Sequence, residues 1–201
     1  GRRSSWSGAS GASEVRRLLV ATLVALGAAL VVSRFAPRVE HVTVAGQVHH
    51  DAAAIMRLAD VAVGDPFLWV TAGRVRGLAA DPWVLQALVV RQWPDRVAIT
   101  VRERFPALTS GATTWADDGT VLVGATPAET AGLPLLEGWG PERVTEALAL
   151  LRLLRPFGVR VISYSPEGFD IELNGTRLFT PSAEALREHW SAFVSHRGGR
   201  M

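Results

Sequence analysis

The chain has 201 residues, 48% hydrophobic and 20% charged, a balance that allows one large domain or two small ones and excludes a disordered composition. It has no cysteine, which excludes disulfides, cysteine metal ligands and cysteine nucleophiles. Its 21 positive charges are all arginines, and a net charge of +2 is too small to predict a nucleic-acid partner, which would need a clustered basic face.

The first predicted element is an apolar helix. Leu18–Ser33 carries no charge. Four arginines flank this run, two on each side: Arg16, Arg17, Arg34 and Arg38. Sixteen helical residues extend about 24 Å, and snorkelling arginines would supply most of the remainder of a hydrocarbon core of about 30 Å. We therefore expect a transmembrane helix over residues 15–36, touching the bilayer through residues 18–36, rather than a core helix, a cleaved signal peptide or an interfacial helix.

The flanking charges predict how this helix is oriented. Four arginines and one acidic residue precede it, so the positive-inside rule places the N-terminus in the cytoplasm. Residues 1–14, rich in Ser, Gly and Ala, are then a flexible cytoplasmic tail. Everything after about residue 37 is expected outside the cytoplasm.

Residues 38–106 predict a small domain with the element order β-α-α-β-β and a three-stranded sheet. In its last strand, Val97, Ile99 and Val101 alternate with smaller or polar residues, which is typical of a strand half-buried against helices. Asp51 is placed to cap the first helix. The expected elements are strands at Val39–Ala45, Val84–Gln92 and Val97–Arg104, and helices from Asp51 to Ala59 and from Thr71 to Ala80.

Residues 107–201 predict a second α+β domain, mostly antiparallel, with two helices. Its clearest signal is Asn174-Gly175, which predicts a hairpin within Asp170–Phe179. The other expected elements are a hairpin within Trp115–Val123, a helix at Pro141–Arg155, a strand at Val159–Ser165 and a helix at Ser182–Val194.

The chain lacks the motifs of common enzymes. It has no nucleophile elbow, no zinc-protease helix motif, no phosphate-cradling loop and no dinucleotide fingerprint. We predict no catalytic residue, no cofactor, no metal and no small-molecule substrate, and we interpret His41, His49 and His50 as surface residues. Four tryptophans are expected to pack in the core because Trp is costly to expose: Trp69, Trp83, Trp93 and Trp115.

Several short motifs together resemble one known family. They are Val42-x-Val44-x-Gly46, Gly64-x-Pro66, Asp81-Pro82-Trp83-Val84, Arg91-x-Trp93-Pro94, Val101-x-Glu103-Arg104-x-Pro106 and Trp115-x-Asp117-x-Gly119. They are similar to the POTRA domain of FtsQ/DivIB cell-division proteins and to its junction with the β domain that follows. With the tail and the anchor, the resemblance covers nearly the whole chain.

The resemblance implies a non-catalytic scaffold of the bacterial divisome, anchored in the inner (plasma) membrane and collected at the septum. Its implied partners are small coiled-coil membrane proteins of the FtsB and FtsL type. Two alternatives remain: a POTRA-type factor for protein export or outer-membrane protein assembly, and an anchored hydrolase of unrecognised type.

One candidate partner surface is the strand at Val84–Gln92, which the β-α-α-β-β order places at a sheet edge. An edge offers unpaired backbone groups that another chain is able to join. The residues predicted to form this surface are Val84, Leu88, Val90 and Arg91. The alternative is that the second domain covers this edge.

A second candidate surface is the hairpin near the C-terminal end. Its predicted partner-binding residues are Tyr164, Ile171, Arg177 and Phe179, since aromatic and Arg side chains are enriched at interfaces. Ordinary strand surface is the alternative. Members of the family usually have another strand after the last helix, which receives the partner. Here only His196–Met201 follow that helix, so we expect either a truncated chain or a partner that pairs with a different edge.

Overall fold

The computed structural model describes residues 10–35, 37–111 and 113–198, which form two compact units. The first unit consists of Gly1–Leu78 and Ala87–Val101, and the second of Ala79–Gln86 and Arg102–Met201. The second unit thus includes a short segment from the middle of the predicted β-α-α-β-β domain as well as the C-terminal half of the chain.

The first element is helix α1, Ser10–Phe35. In the part of the chain that is described, no helix is both long enough and apolar enough to cross a membrane. The prediction of a transmembrane helix over residues 15–36, in contact with a bilayer through residues 18–36, is therefore wrong. The uncharged run extends only about 24 Å as a helix, whereas a span needs about 20 apolar residues and 30 Å. Of the predicted tail 1–14, residues 1–9 lie outside the described residues and residues 10–14 belong to α1.

A three-stranded sheet with two helices follows α1 and confirms the predicted element order. Strand β1 lies parallel to β3, and the spatial order is β1-β3-β2. The elements are β1 His41–Ala45, α2 Ala52–Leu58, α3 Val75–Ala80, β2 Val84–Gln92 and β3 Arg96–Glu103.

Local chemistry explains the start of this domain. Asp51 accepts a hydrogen bond of 2.6 Å from the backbone N–H of Ala54 and so caps α2, as predicted. Gly46 has a φ of +87°, and a Cβ at this position would collide with the carbonyl oxygen of Val101. A glycine after β1 is therefore required both by the backbone conformation and by the close approach of β3.

The second sheet is six-stranded and mixed, with the order β5-β4-β6-β7-β8-β9. The pairs β4–β6 and β6–β7 are parallel, and the other three are antiparallel. Strands β4 and β6 were not predicted. The strands are β4 Pro106–Ser110, β5 Thr113–Ala116, β6 Leu135–Gly138, β7 Val159–Ser165, β8 Gly168–Leu173 and β9 Thr176–Thr180.

Four helices accompany this sheet among the described residues, where two were predicted. They are α4 Pro127–Thr130, α5 Val144–Leu154, α6 Ala183–Glu188 and α7 Trp190–Gly198. Helix α5 begins at Val144 rather than at Pro141, and the predicted helix Ser182–Val194 is divided at His189. The apolar face of α5 packs with the inner side chains of β7 and β8 to form the main core of the second unit.

The four tryptophans that were predicted to pack in the core divide into two pairs. Trp83 and Trp115 are buried, as predicted. Trp69 is 62% exposed and Trp93 is 82% exposed, so the prediction that they pack in the core is wrong. Trp69 ends a 3-10 turn whose buried position is taken by Phe67, and Trp93 lies in the turn between β2 and β3.

Candidate functional site

Strand β2 is an outermost strand of the three-stranded sheet, and all four residues of the first predicted surface lie on it. Leu88 is 59% exposed and Val90 is 41% exposed, on either side of the buried Val89. The side chain of Val84 is buried instead, so it is not accessible to a partner. The accessible apolar part of β2 is therefore Leu88 and Val90.

Arg91 is held by neighbours in its own unit. Its Nη1 donates a hydrogen bond of 3.1 Å to the carbonyl oxygen of Leu68, and its guanidinium carbon lies 5.7 Å from the centre of the Phe67 ring. These contacts bring the Phe67–Trp69 turn next to the end of β2. The exposed Leu68 and Trp69 thus lie close to this edge. Neither residue was predicted to belong to this surface, and Trp69 was expected in the core, although Gly64-x-Pro66 signals the turn that exposes both.

The second predicted surface is distributed over three strands. Tyr164 lies half-buried on β7, two strands from the sheet edge, and a Cβ on Gly138 would collide with its ring. Ile171 on β8 is completely buried in the core, so its side chain does not reach a partner. Arg177 and Phe179 lie on β9, the outermost strand, where Phe179 is 61% exposed.

The hairpin register determines which backbone groups of β9 face outward. Strands β8 and β9 are joined through the two-residue turn Asn174-Gly175, and Leu173 pairs with Thr176. The residues that flank such a turn form a hydrogen-bonded pair, and hydrogen-bonded pairs then alternate with non-bonded ones along the ladder. The N–H and C=O groups of Arg177 and Phe179 therefore point away from β8, toward the open edge.

A polar cluster in the second unit accounts for the arginine of the Glu103-Arg104-x-Pro106 motif. Arg104 donates from Nε to Asp118 Oδ2 at 2.7 Å and from Nη1 to the carbonyl oxygens of Pro82 at 3.0 Å and Val84 at 2.7 Å. Desolvation by burial would raise the pKa of Asp118, but the hydrogen bonds from Arg104 and Thr120 outweigh it and lower this pKa from 3.8 to about 2. Arg104 and Asp118 therefore have a structural role rather than a role in acid–base chemistry.

One further group of side chains is close enough to share an ion. Potential ligand atoms of Glu40, His41 and Asp95 all lie within 4.8 Å of one another. This group was not predicted, because Asp95 is distant from His41 in the chain. Glu40 and His41 are exposed, and the Arg96 guanidinium lies 3.9 Å from Asp95, where it competes with a cation. We assign no metal to this group.

Comparison with known proteins identifies the first of the two sheets. The family model of the POTRA domain, FtsQ-type, matches residues 38–104, about a third of the chain. No curated protein matches the chain. The matched residues contain β1, α2, α3, β2 and β3, which is the complete β-α-α-β-β arrangement. Domains of this kind are protein-interaction modules, generally non-catalytic, and the FtsQ type indicates a division-related role. Residues 38–104 of the chain thus form a POTRA domain of the FtsQ type.

Proposed function

We propose that this protein is a non-catalytic scaffold of the bacterial divisome, which recruits and links division proteins at the septum. The observation that carries the proposal is the FtsQ-type POTRA domain at residues 38–104. The partners that suit this role are small coiled-coil division proteins of the FtsB and FtsL type. The POTRA-type export or assembly role remains the alternative, and no feature of the described residues favours it.

The geometry of the two sheets supports recruitment through strand edges. Each sheet has two outermost strands. Among these, β2 in the first sheet and β9 in the second carry residues of the predicted surfaces. An added strand gains affinity from main-chain hydrogen bonds and specificity from side chains that alternate along the edge. On β9 the outward backbone groups belong to Arg177 and Phe179, and on β2 the exposed apolar side chains are Leu88 and Val90.

We expect that the full chain, fused at its N-terminus to a fluorescent protein, collects at the division septum and co-purifies with a coiled-coil protein of the FtsB type. The measurements are fluorescence microscopy of dividing cells and affinity purification from the same cells. A uniform distribution, together with unfolded outer-membrane protein clients in the purified fraction, would instead support the export alternative.

The POTRA edge is tested by Leu88→Glu. A buried carboxylate without a partner is strongly unfavourable, so we expect septal recruitment through β2 to weaken by about tenfold or more. Leu88 is already solvent-exposed, and we therefore expect the melting temperature to remain nearly unchanged. The matched control is Val48→Glu, which introduces the same charge at another exposed position of the first unit. Recruitment that Leu88→Glu leaves intact would remove β2 from the proposed surface.

A further inference from the structure

The second unit contains a groove that the proposed function does not use. It has a volume of about 800 Å³, and all its lining residues belong to the second unit. Helix α5, the start of β4 and the segment after β5 contribute to its walls. Its apolar lining includes the exposed Phe105 and the half-buried Leu133 and Pro134. This volume is in the range of ligand-binding clefts and is much larger than a single inorganic anion needs.

The positive side chains that line the groove outnumber the negative ones. Arg104 and Asp118 form a close ion pair with each other, 2.7 Å between Nε and Oδ2, so they contribute little net charge. Arg152 and Arg155 share one oxygen of Asp117, at 3.8 Å and 3.6 Å. These distances are too long for hydrogen bonds.

Two further charged side chains, Arg102 and Glu103, line the groove. The side chain of Arg102 forms no ion pair or hydrogen bond with any residue that the structure describes, and it is exposed. Glu103 also lines the groove but is buried. Arg102, Arg152 and Arg155 therefore exceed the acidic groups Asp117 and Glu103, and the accessible part of the groove is positive.

Asp117 has a side-chain oxygen that lacks a hydrogen-bond donor in the described part of the chain. Its Oδ1 atom is buried and accepts no hydrogen bond from the described residues, although the rest of the side chain is partly exposed. A buried acceptor without a donor is unfavourable by about 1–3 kcal/mol, and the nearby Arg152 and Arg155 guanidinium groups offset part of this cost. The groove thus combines apolar walls with an excess of guanidinium groups.

We propose that this groove binds an acidic, apolar-rich peptide segment of a partner protein. Such a segment supplies carboxylates for Arg102, Arg152 and Arg155 and apolar side chains for the wall around Phe105. Carboxylates form charge-assisted, often bidentate pairs with arginine. A nucleic-acid strand fits less well, because its phosphates would lie beside Asp117 and Glu103.

The test uses the full chain and a short fluorescent peptide of alternating Glu and Leu, with binding measured by fluorescence anisotropy. We expect this peptide to bind more tightly than a Lys-Leu peptide or a Glu-Gly peptide of equal length, and to weaken as salt is raised. The double variant Arg152→Ser/Arg155→Ser should bind the Glu-Leu peptide about tenfold more weakly, since each lost pair removes roughly half of that effect.

Two controls separate this groove from other surfaces. Arg160→Ser removes an exposed arginine of β7 that does not line the groove, and it should leave binding unchanged. Phe179→Pro blocks the β9 edge, and peptide binding that survives this change excludes strand addition at β9 as its source. Equal binding by the double variant and the unmodified chain would overturn the proposal. Preferential binding of a single-stranded oligonucleotide over the Glu-Leu peptide would overturn it as well.

Discussion

Phe179→Pro is expected to reduce binding of an FtsB-type partner by about 100-fold or more. The substitution removes the outward N–H of residue 179, leaves an acceptor of the added strand unpaired, and deletes the exposed aromatic side chain. An unpaired backbone group costs about 1–3 kcal/mol and a buried aromatic contact contributes about 2 kcal/mol, which together correspond to roughly two to three decades in Kd. Titration calorimetry with the soluble coiled-coil segment measures the change.

The neighbouring residue provides a matched control. Leu178 pairs with Ile171, and the register directs its N–H toward β8. Leu178→Pro should therefore break the β8–β9 ladder and destabilise the second unit by about 3 kcal/mol, whereas Phe179→Pro should leave thermal stability nearly unchanged. If Phe179→Pro binds the partner as tightly as the unmodified chain does, β9 is not the edge that receives it.

Arg104→Met is expected to lower the free energy of unfolding of the second unit by about 2–4 kcal/mol. It removes three hydrogen bonds and leaves two carbonyl oxygens, of Pro82 and Val84, without their donor. For a unit of about 100 residues this corresponds to a fall in melting temperature of roughly 10–20 °C. Differential scanning calorimetry measures it. The control is Arg102→Met, at an exposed position without a side-chain partner among the described residues, which should change stability by less than about 0.5 kcal/mol.

The same cluster predicts a pH effect with a definite sign. The pKa of Asp118 is lowered from 3.8 to about 2 in the folded chain. Its contribution to stability is therefore complete above about pH 3.8 and is lost as the pH falls toward 2. The amplitude is small because the side chain of Asp118 is 42% exposed and screened by solvent. Asp118→Asn should flatten the acid limb of the stability curve, and an unchanged acid limb would contradict the assigned pair with Arg104.

Much of the first sheet and of the last hairpin was predictable because their signals are local. The alternation of Val97, Ile99 and Val101 identifies β3, Asp51 lies three residues before the N–H that it caps, and Asn174-Gly175 defines a two-residue turn. Each of these signals depends on backbone geometry over a few residues, and each is confirmed.

The candidate sites were only partly predictable, because accessibility depends on residues distant in sequence. Phe179 and Ile171 have similar apolar side chains in one hairpin, yet only Phe179 is exposed, since α5 packs over β8 on the face that holds Ile171. Likewise, Trp83 and Trp93 lie ten residues apart in the chain, and only Trp83 packs in a hydrophobic core.

By itself, the sequence determined the β-α-α-β-β order, the turns, the caps and the resemblance that led to the FtsQ-type POTRA domain, because each depends on residues that are neighbours in the chain. Only the tertiary structure decided that β4 and β6 pair in parallel, that Arg104 joins Asp118 to Pro82 and Val84, and that four arginines line one groove. Those arrangements require contacts between segments that are distant in sequence. Such contacts depend on the entropy of loop closure and on competing contacts rather than on local propensity.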